Sequence, residues 1–290
     1  MHDDSLVHKY KEDNKLLLVL GISIALFAFE VIGGIISNSL ALISDAGHVL
    51  TDIFALTLSF LAIKISHRLP TNKMTYGFHR IRIIAAFING LLLFLLSFYI
   101  FYEAYVRLFN PPEVLPMLLL VFAMIGLLVN LYMVLILKQT ADLNVKSAYY
   151  HVVTDTLQSV TVIAGGVIIM TTKMYITDTI ISIIIGIFIL RGGVHIVKNA
   201  IDVLLESVPA NIRLEDVKET LMRVDGVKDV HDIHVWCITP EIMMLTCHVA
   251  ITDSNLNSAT EILSRINLLL KEKYNISHST IQIEPWKERN

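Results

Sequence analysis

His48 and Asp52 stand four residues apart, and so do His151 and Asp155. Each pair lies inside an apolar run long enough to cross a bilayer, Ser39 to Ile65 for the first and Ser147 to Thr171 for the second. On a helix rising about 1.5 Å per residue, positions four apart are nearly aligned and about 6 Å apart along the axis. One helix then offers an imidazole and a carboxylate to a shared point. Two helices offer two nitrogens and two oxygens, a four-coordinate set suited to tetrahedral zinc. Asp45, three residues before His48, shares its helical face with His48 and Asp52. An ionisable side chain at bilayer depth costs about 2.5–3.5 kcal/mol on insertion scales, so each of these residues is a functional candidate. A single pair could be a polar contact between packed helices. Its repetition in a second span argues for ligation.

The elements that must position these residues follow from composition. The chain has 290 residues, of which 54% are hydrophobic and 17% charged; ordinary soluble domains carry about 25% charged residues. A membrane protein is expected. A net charge of −3 gives no reason to expect a nucleic-acid partner. Cys237 and Cys247, the only two cysteines, support no disulfide framework and are expected as free thiols.

Residues 1–15 read as a polar cytoplasmic tail, and no cleavable signal peptide is expected. Residues 16–208 read as a six-helix transport domain. Its spans are Leu16 to Ile36, Ser39 to Ile65, Ile83 to Leu108, Val114 to Leu137, Ser147 to Thr171, and Tyr175 to Val197 with a stalk to about Leu205. The first span holds one charge, Glu30, with Gly33 and Gly34 behind it. Glu30 reads either as an ion-path residue or as a group facing a polar bundle interior. Lysines and arginines gather in the tail, the loops after spans two and four, and the end of span six. That bias puts both termini in the cytoplasm.

Residues 209–290 read as a small soluble domain. Asn211 to Val224 and Asn255 to Tyr274 have helical periodicity, and Val227 to Thr239, Ile242 to Thr252 and Ile276 to Glu284 read as strands. The fold class expected for the whole chain is a membrane all-α domain of six transmembrane helices followed by a small α+β domain, αββαβ and ferredoxin-like.

With these residues in view, the chain resembles the cation diffusion facilitator family of zinc transporters. The matching stretches are SLALISDAGHVLTD, YYHVVTDTLQS, YGFHRIRIIAAFING, DVLLESVP, VHDIHVW and CHVAI, and the resemblance covers essentially the whole chain. It implies a homodimeric zinc/proton antiporter, not an enzyme, embedded in a lipid bilayer, with a cytoplasmic metallochaperone-like domain; the compact loops point to the cell (inner) membrane of a prokaryote, with an organelle membrane as the alternative. His48, Asp52, His151 and Asp155 match the family's transport site, with Asp45 accessory to it. Two His and two Asp resemble members that favour zinc and often tolerate cadmium or cobalt. The resemblance also matches His231 and His248 to cytoplasmic metal ligands, with His278 or Glu284 from the end of the domain, so that zinc is both the substrate and a structural or regulatory ion there. His79 matches a position where some relatives hold zinc at the inner mouth. Unlike many relatives, the link LKQTADLNVKSAYY contains no histidine.

Two rival functions are weighed against transport. A membrane-anchored zinc sensor has no need of ligand pairs inside the bilayer. An intramembrane metalloprotease would carry His-Glu-x-x-His on a helix, which does not occur in this sequence.

Overall fold

The computed structural model describes residues 2–138, 143–252 and 259–286. Six long helices come first: α1 (His2–Ser37), α2 (Leu40–Ser66), α3 (Ile81–Phe109), α4 (Pro116–Leu137), α5 (Leu143–Thr172) and α6 (Ile176–Leu204). All six are long and apolar enough to cross a membrane. In hydrocarbon a backbone must satisfy its own hydrogen bonds, and uninterrupted helix does so. None of the prolines falls inside a span except Pro116, which opens α4, where a missing N–H costs nothing. The backbone of 2–15, read from sequence as a tail, is helical and continuous with α1. No glycine or proline interrupts the chain between His2 and Leu20. Part of the link between spans four and five, 139–142, lies outside the described residues.

The chain divides into two units, Met1–Leu58 with Ile88–His195, and Ser59–Phe87 with Ile196–Asn290. In the first unit α4 packs on α5 and on α1. Gly33 permits the second of these contacts, because a Cβ there would run into the Phe122 ring. Val19 and Leu26 of α1 meet Met133 and Leu137 of α4 and Val152 of α5.

Helix α1 hands over to α2 through a tight left-handed turn. Asn38 takes φ 58°, its N–H donates to the Ile35 carbonyl at 3.3 Å, and the Ser39 N–H donates to the Gly34 carbonyl at 3.0 Å. This pair of bonds is a Schellman termination, with asparagine tolerating the left-handed position. The new helix is then capped twice. The Leu42 N–H donates to Ser39 Oγ at 3.2 Å. The carboxylate of Asp178, on α6, accepts the Ser39 hydroxyl at 2.5 Å and the Leu40 and Ala41 N–H groups at 2.6 and 3.4 Å. An acidic group at a helix N-terminus is favourable on both hydrogen-bonding and dipole grounds. Asp178 is only 2% exposed, so a span-six carboxylate holds the start of the helix that carries His48 and Asp52.

The second unit contains α7 (Leu214–Met222), β1 (Val227–Thr239), β2 (Ile242–Ile251), α8 (Ala259–Tyr274) and β3 (His278–Pro285). The αββαβ order is the one expected. Residues 253–258, within the expected helix Asn255 to Tyr274, lie outside the described residues. Helix α7 is shorter than the periodicity of 211–224 suggests, because Arg213 is extended (φ −109°, ψ 126°) and the Ile212 N–H is taken by the Pro209 carbonyl. The sheet order is β1-β2-β3. The hairpin pair β1/β2 is antiparallel, and β2/β3 is parallel, with α8 as the crossover that a parallel pair requires.

One row of side chains from the sheet packs under both helices: Val230 and Val235, then Leu245, Cys247 and Val249, against Val217, Leu221, Ile262 and Ile266. Val230 and Val235 are five apart and cannot share a face of a regular strand. A β-bulge between His231 and His234 inserts the needed extra residue. Asp232 sits in it at φ 51°. In the same unit Arg80 Nη2 donates to Glu206 Oε1 at 2.8 Å, and Glu206 occupies the left-handed position (φ 59°) that ends α6.

The two cysteines are free thiols facing this core. Burial pushes the Cys247 thiol up to about 11. Only the thiolate is nucleophilic, so at pH 8 about one such thiol in a thousand is reactive. Iodoacetamide is expected to modify Cys247 at least about 100-fold more slowly than an exposed cysteine, with the rate climbing about tenfold per pH unit. Mass spectrometry of the native and the denatured protein checks this; equal labelling in both would show that the core is open.

Candidate metal centre

The two His-x-x-x-Asp pairs come together in the first unit. Helical spacing aligns each pair, and the capped start of α2 fixes the height of its pair. His151 Nε2 stands 3.0 Å from Asp52 Oδ2 and 3.8 Å from Asp155 Oδ2. His48 Nε2 stands 3.7 Å from Asp155 Oδ1 and 3.9 Å from Asp52 Oδ2. Each imidazole therefore faces both carboxylates, its own and the one across. The rings are tilted at 59° with centroids 5.9 Å apart. Four donors placed 2.0–2.2 Å from one ion at tetrahedral angles lie about 3.3–3.6 Å from each other. The nitrogen–oxygen separations straddle that value.

Three of the four, His48, Asp52 and Asp155, have donor atoms all within 4.8 Å of one another. Oxygens Asp52 Oδ2 and Asp155 Oδ1 are buried and accept no aligned hydrogen bond. Buried polar atoms are ordinarily paired, so two oxygens left in this condition and facing the same imidazoles are what a cation site requires. His151 is the most open of the four, with 43% of its side chain exposed.

Asp45 lies behind this group and is 3% exposed. It faces Ser159, whose Oγ is 3.5 Å from Asp45 Oδ2. Its face of α2 was legible in the sequence; its partner on α5 was not, since nothing in a serine four residues after Asp155 marks it as polar lining rather than packing.

A second convergence lies on the sheet, on the face away from α7 and α8. His231 and His248 are directly paired across β1 and β2, with ring centroids 5.4 Å apart. Glu284 on β3 reaches both, at 2.9 Å from His248 Nδ1 and 3.7 Å from His231 Nε2. The donor atoms of these three residues lie within 4.8 Å of one another. Asp229 Oδ2 is 3.2 Å from His231 Nδ1, the kind of carboxylate support that orients a ligating imidazole. The bulge adds Asp232, whose Oδ2 is 3.7 Å from His248 Nε2 and whose Oδ1 pairs with His234 at 3.0 Å. Sequence reasoning did not find Asp229.

His278 does not join this group within the chain. It pairs with Met244, whereas Glu284 pairs with Ala250. Six residues of strand at about 3.3 Å each separate the two. His79 lies in the turn before α3 beside Gly77, which takes φ 75°. Among the described residues it belongs to no group of three such ligands.

Two family descriptions match the chain: "Cation efflux transmembrane domain" over residues 16–205 and "Cation efflux protein, cytoplasmic domain" over 209–286. A "Cation efflux system protein CzcD" of Alcaligenes sp. (strain CT14) is 40% identical, over 96% of this chain and 88% of that protein. A "Cadmium, cobalt and zinc/H(+)-K(+) antiporter" of Bacillus velezensis is 38% identical, over 96% of this chain and 90% of that protein. A "Zinc transporter ZitB" of Escherichia coli (strain K12) is 34% identical, over 98% of this chain and 91% of that protein.

Proposed function

The chain belongs to the cation diffusion facilitator family, and on that premise we propose that it expels zinc from the cytoplasm in exchange for protons, working as a homodimer in the cell membrane with both termini inside. It is a multi-pass membrane protein of a divalent-cation efflux family. The finer reading is carried by one observation: two imidazoles and two carboxylates from α2 and α5 face one another at 3.0–3.9 Å. His48, Asp52, His151 and Asp155 are the proposed ligands of the transported ion.

The donor set supplies the selectivity. Imidazole and carboxylate suit zinc, and a softer or harder ion would call for thiolates or an all-oxygen cage. The donors also supply the exchange rule. A metal needs its imidazoles neutral and its carboxylates ionised, so protons and metal compete for the same atoms. On the side where protons are plentiful they displace the ion, and on the cytoplasmic side a new ion displaces them. Bare carboxylates at bilayer depth are costly, which disfavours moving the site with neither ion nor protons aboard. Rocking of one helix group against another would then alternate access to a site near the membrane midplane.

In the cytoplasmic domain, His231, His248 and Glu284 are the proposed ligands of a second zinc, with Asp229 orienting His231. The family description of that domain supports assembly as a homodimer.

The test is zinc uptake into proteoliposomes under an imposed pH gradient. Uptake that scales with the gradient and stops when an ionophore collapses it is the expected result. Zinc binding without any gradient-dependent uptake would overturn exchange and favour a membrane-anchored sensor.

A further inference from the structure

A carboxylate with no role in the metal site lies in the same unit. Glu30, in the middle of α1, is 1% exposed. Its Oε2 is buried and has no hydrogen-bond partner. Its Oε1 occupies space that α4 leaves free at Gly126, where a Cβ would come within 2.9 Å of it. Among the described residues the charged groups that face it are Asp45 from α2 and Asp155 from α5. The side of α4 toward this region contributes Gly126 and the neutral Asn130, both buried. Asn130 Nδ2 donates to Ser159 Oγ at 3.2 Å. The Ser159 hydroxyl can donate to Asp45 Oδ2 at 3.5 Å or to the Asp155 carbonyl at 3.2 Å. A polar path therefore runs from Asn130 through Ser159 to Asp45, one helical turn from Asp155, a proposed ligand whose backbone carbonyl Ser159 also reaches, and Glu30 faces its far end.

We infer that Glu30, assisted by Asp45, binds a counter-transported proton at a site separate from the metal ligands, in addition to the protons that compete for the ligand atoms themselves. This rests on the exchange reading above. Glu30 is not among the donors that converge on either candidate ion. Two carboxylates also fall short of the about 6–8 oxygens that a hard cation such as calcium collects. What a buried carboxylate facing two others does best is hold a proton, since an ionised one is costly in the bilayer.

The balance is one proton per Glu30 carboxyl. When zinc arrives between Asp52 and Asp155 from the cytoplasmic side, its positive charge favours the ionised form, and the proton leaves toward the cytoplasm. When zinc departs on the far side, the carboxylate takes up a proton there. By linkage the effect is reciprocal: a proton on Glu30 weakens zinc binding by the factor by which zinc weakens proton binding.

Glu30→Gln in proteoliposomes tests this, since the amide mimics a permanently protonated carboxyl. Two fluxes are read. Isotope exchange of zinc at equal pH and equal, saturating zinc on both sides needs no proton movement and is blind to a weaker affinity, and net uptake driven by a pH gradient does need proton movement. The expected result is exchange within about threefold of wild type and gradient-driven uptake reduced at least about tenfold. Retention of both fluxes would overturn the proposal, and so would loss of both, which marks a structural part. If Glu30→Gln does not fold, Glu30→Asp supplies the readout: a displaced pH midpoint for net uptake supports the site, and an unchanged midpoint overturns it. Wild type that exchanges zinc without responding to the gradient would sink the antiport reading itself, and this proposal with it.

Discussion

Asp52→Ala is expected to cut zinc flux by more than about 100-fold, because even a residue that merely supports a metal ligand is worth 10–100-fold. Asp52 is more central than that. Its Oδ2 lies 3.0 Å from His151 and 3.9 Å from His48, so its removal takes away one donor and the anion that both imidazoles face. Asp52→Asn separates the two losses. It keeps the side-chain volume and one oxygen donor while removing the charge, and should fall between wild type and alanine. His151→Ala should resemble Asp52→Ala. Flux is measured alongside size-exclusion chromatography, which reports whether the variant remains assembled. Undiminished zinc flux in Asp52→Ala would remove these four residues from the transport path.

Asp178→Ala carries the largest expected effect on stability. The substitution leaves the Ser39 hydroxyl and the Leu40 and Ala41 N–H groups without their acceptor. A buried donor left unsatisfied costs about 1–3 kcal/mol. Three donors on one carboxylate make about 3–5 kcal/mol the expected loss, the range seen when one partner of a buried charged contact is removed. The consequence reaches function through geometry: α2 begins at Leu40, and His48 and Asp52 lie two to three turns further on. The thermal midpoint in detergent should drop and zinc affinity should weaken with it. Asp178→Asn, still an acceptor, should lose less of both. A midpoint for Asp178→Ala within experimental error of wild type would show that the three donors find acceptors elsewhere.

The six spans and the two His-x-x-x-Asp pairs were legible because they follow from rules acting within a single segment. Apolar runs of bilayer length are helices, and residues four apart on a helix align. The αββαβ order was legible for the same reason. What escaped depends on segments distant in the chain. Nothing local to Asp178 says that it caps a helix beginning 138 residues earlier. Asp229 drew no notice because nothing in the sequence places its carboxylate beside the His231 ring, and the bulge that carries Asp232 is invisible in a stretch that simply appears to alternate. Glu30 was conspicuous as the one charge of its span, but its place at the far end of the Ser159 path required α1, α2, α4 and α5 together. Of the alternatives His278 and Glu284, the sequence could not say which lies beside His231 and His248, because six residues of extended strand separate the two.

The bulge at Asp232 gives β1 something like a reading frame. Upstream and downstream of it, even and odd positions exchange roles, so that Val230 and Val235 both point to the helices while His231 points away with His248. Loss of one codon between Val230 and Val235 leaves the two valines four apart, in phase on a regular strand, so the lipophilic row survives while the bulge and Asp232 are lost. Loss of two codons leaves them three apart and again in need of a bulge. The extra residue is thus dispensable for the hydrophobic face, and what it adds is Asp232, placed 3.7 Å from His248.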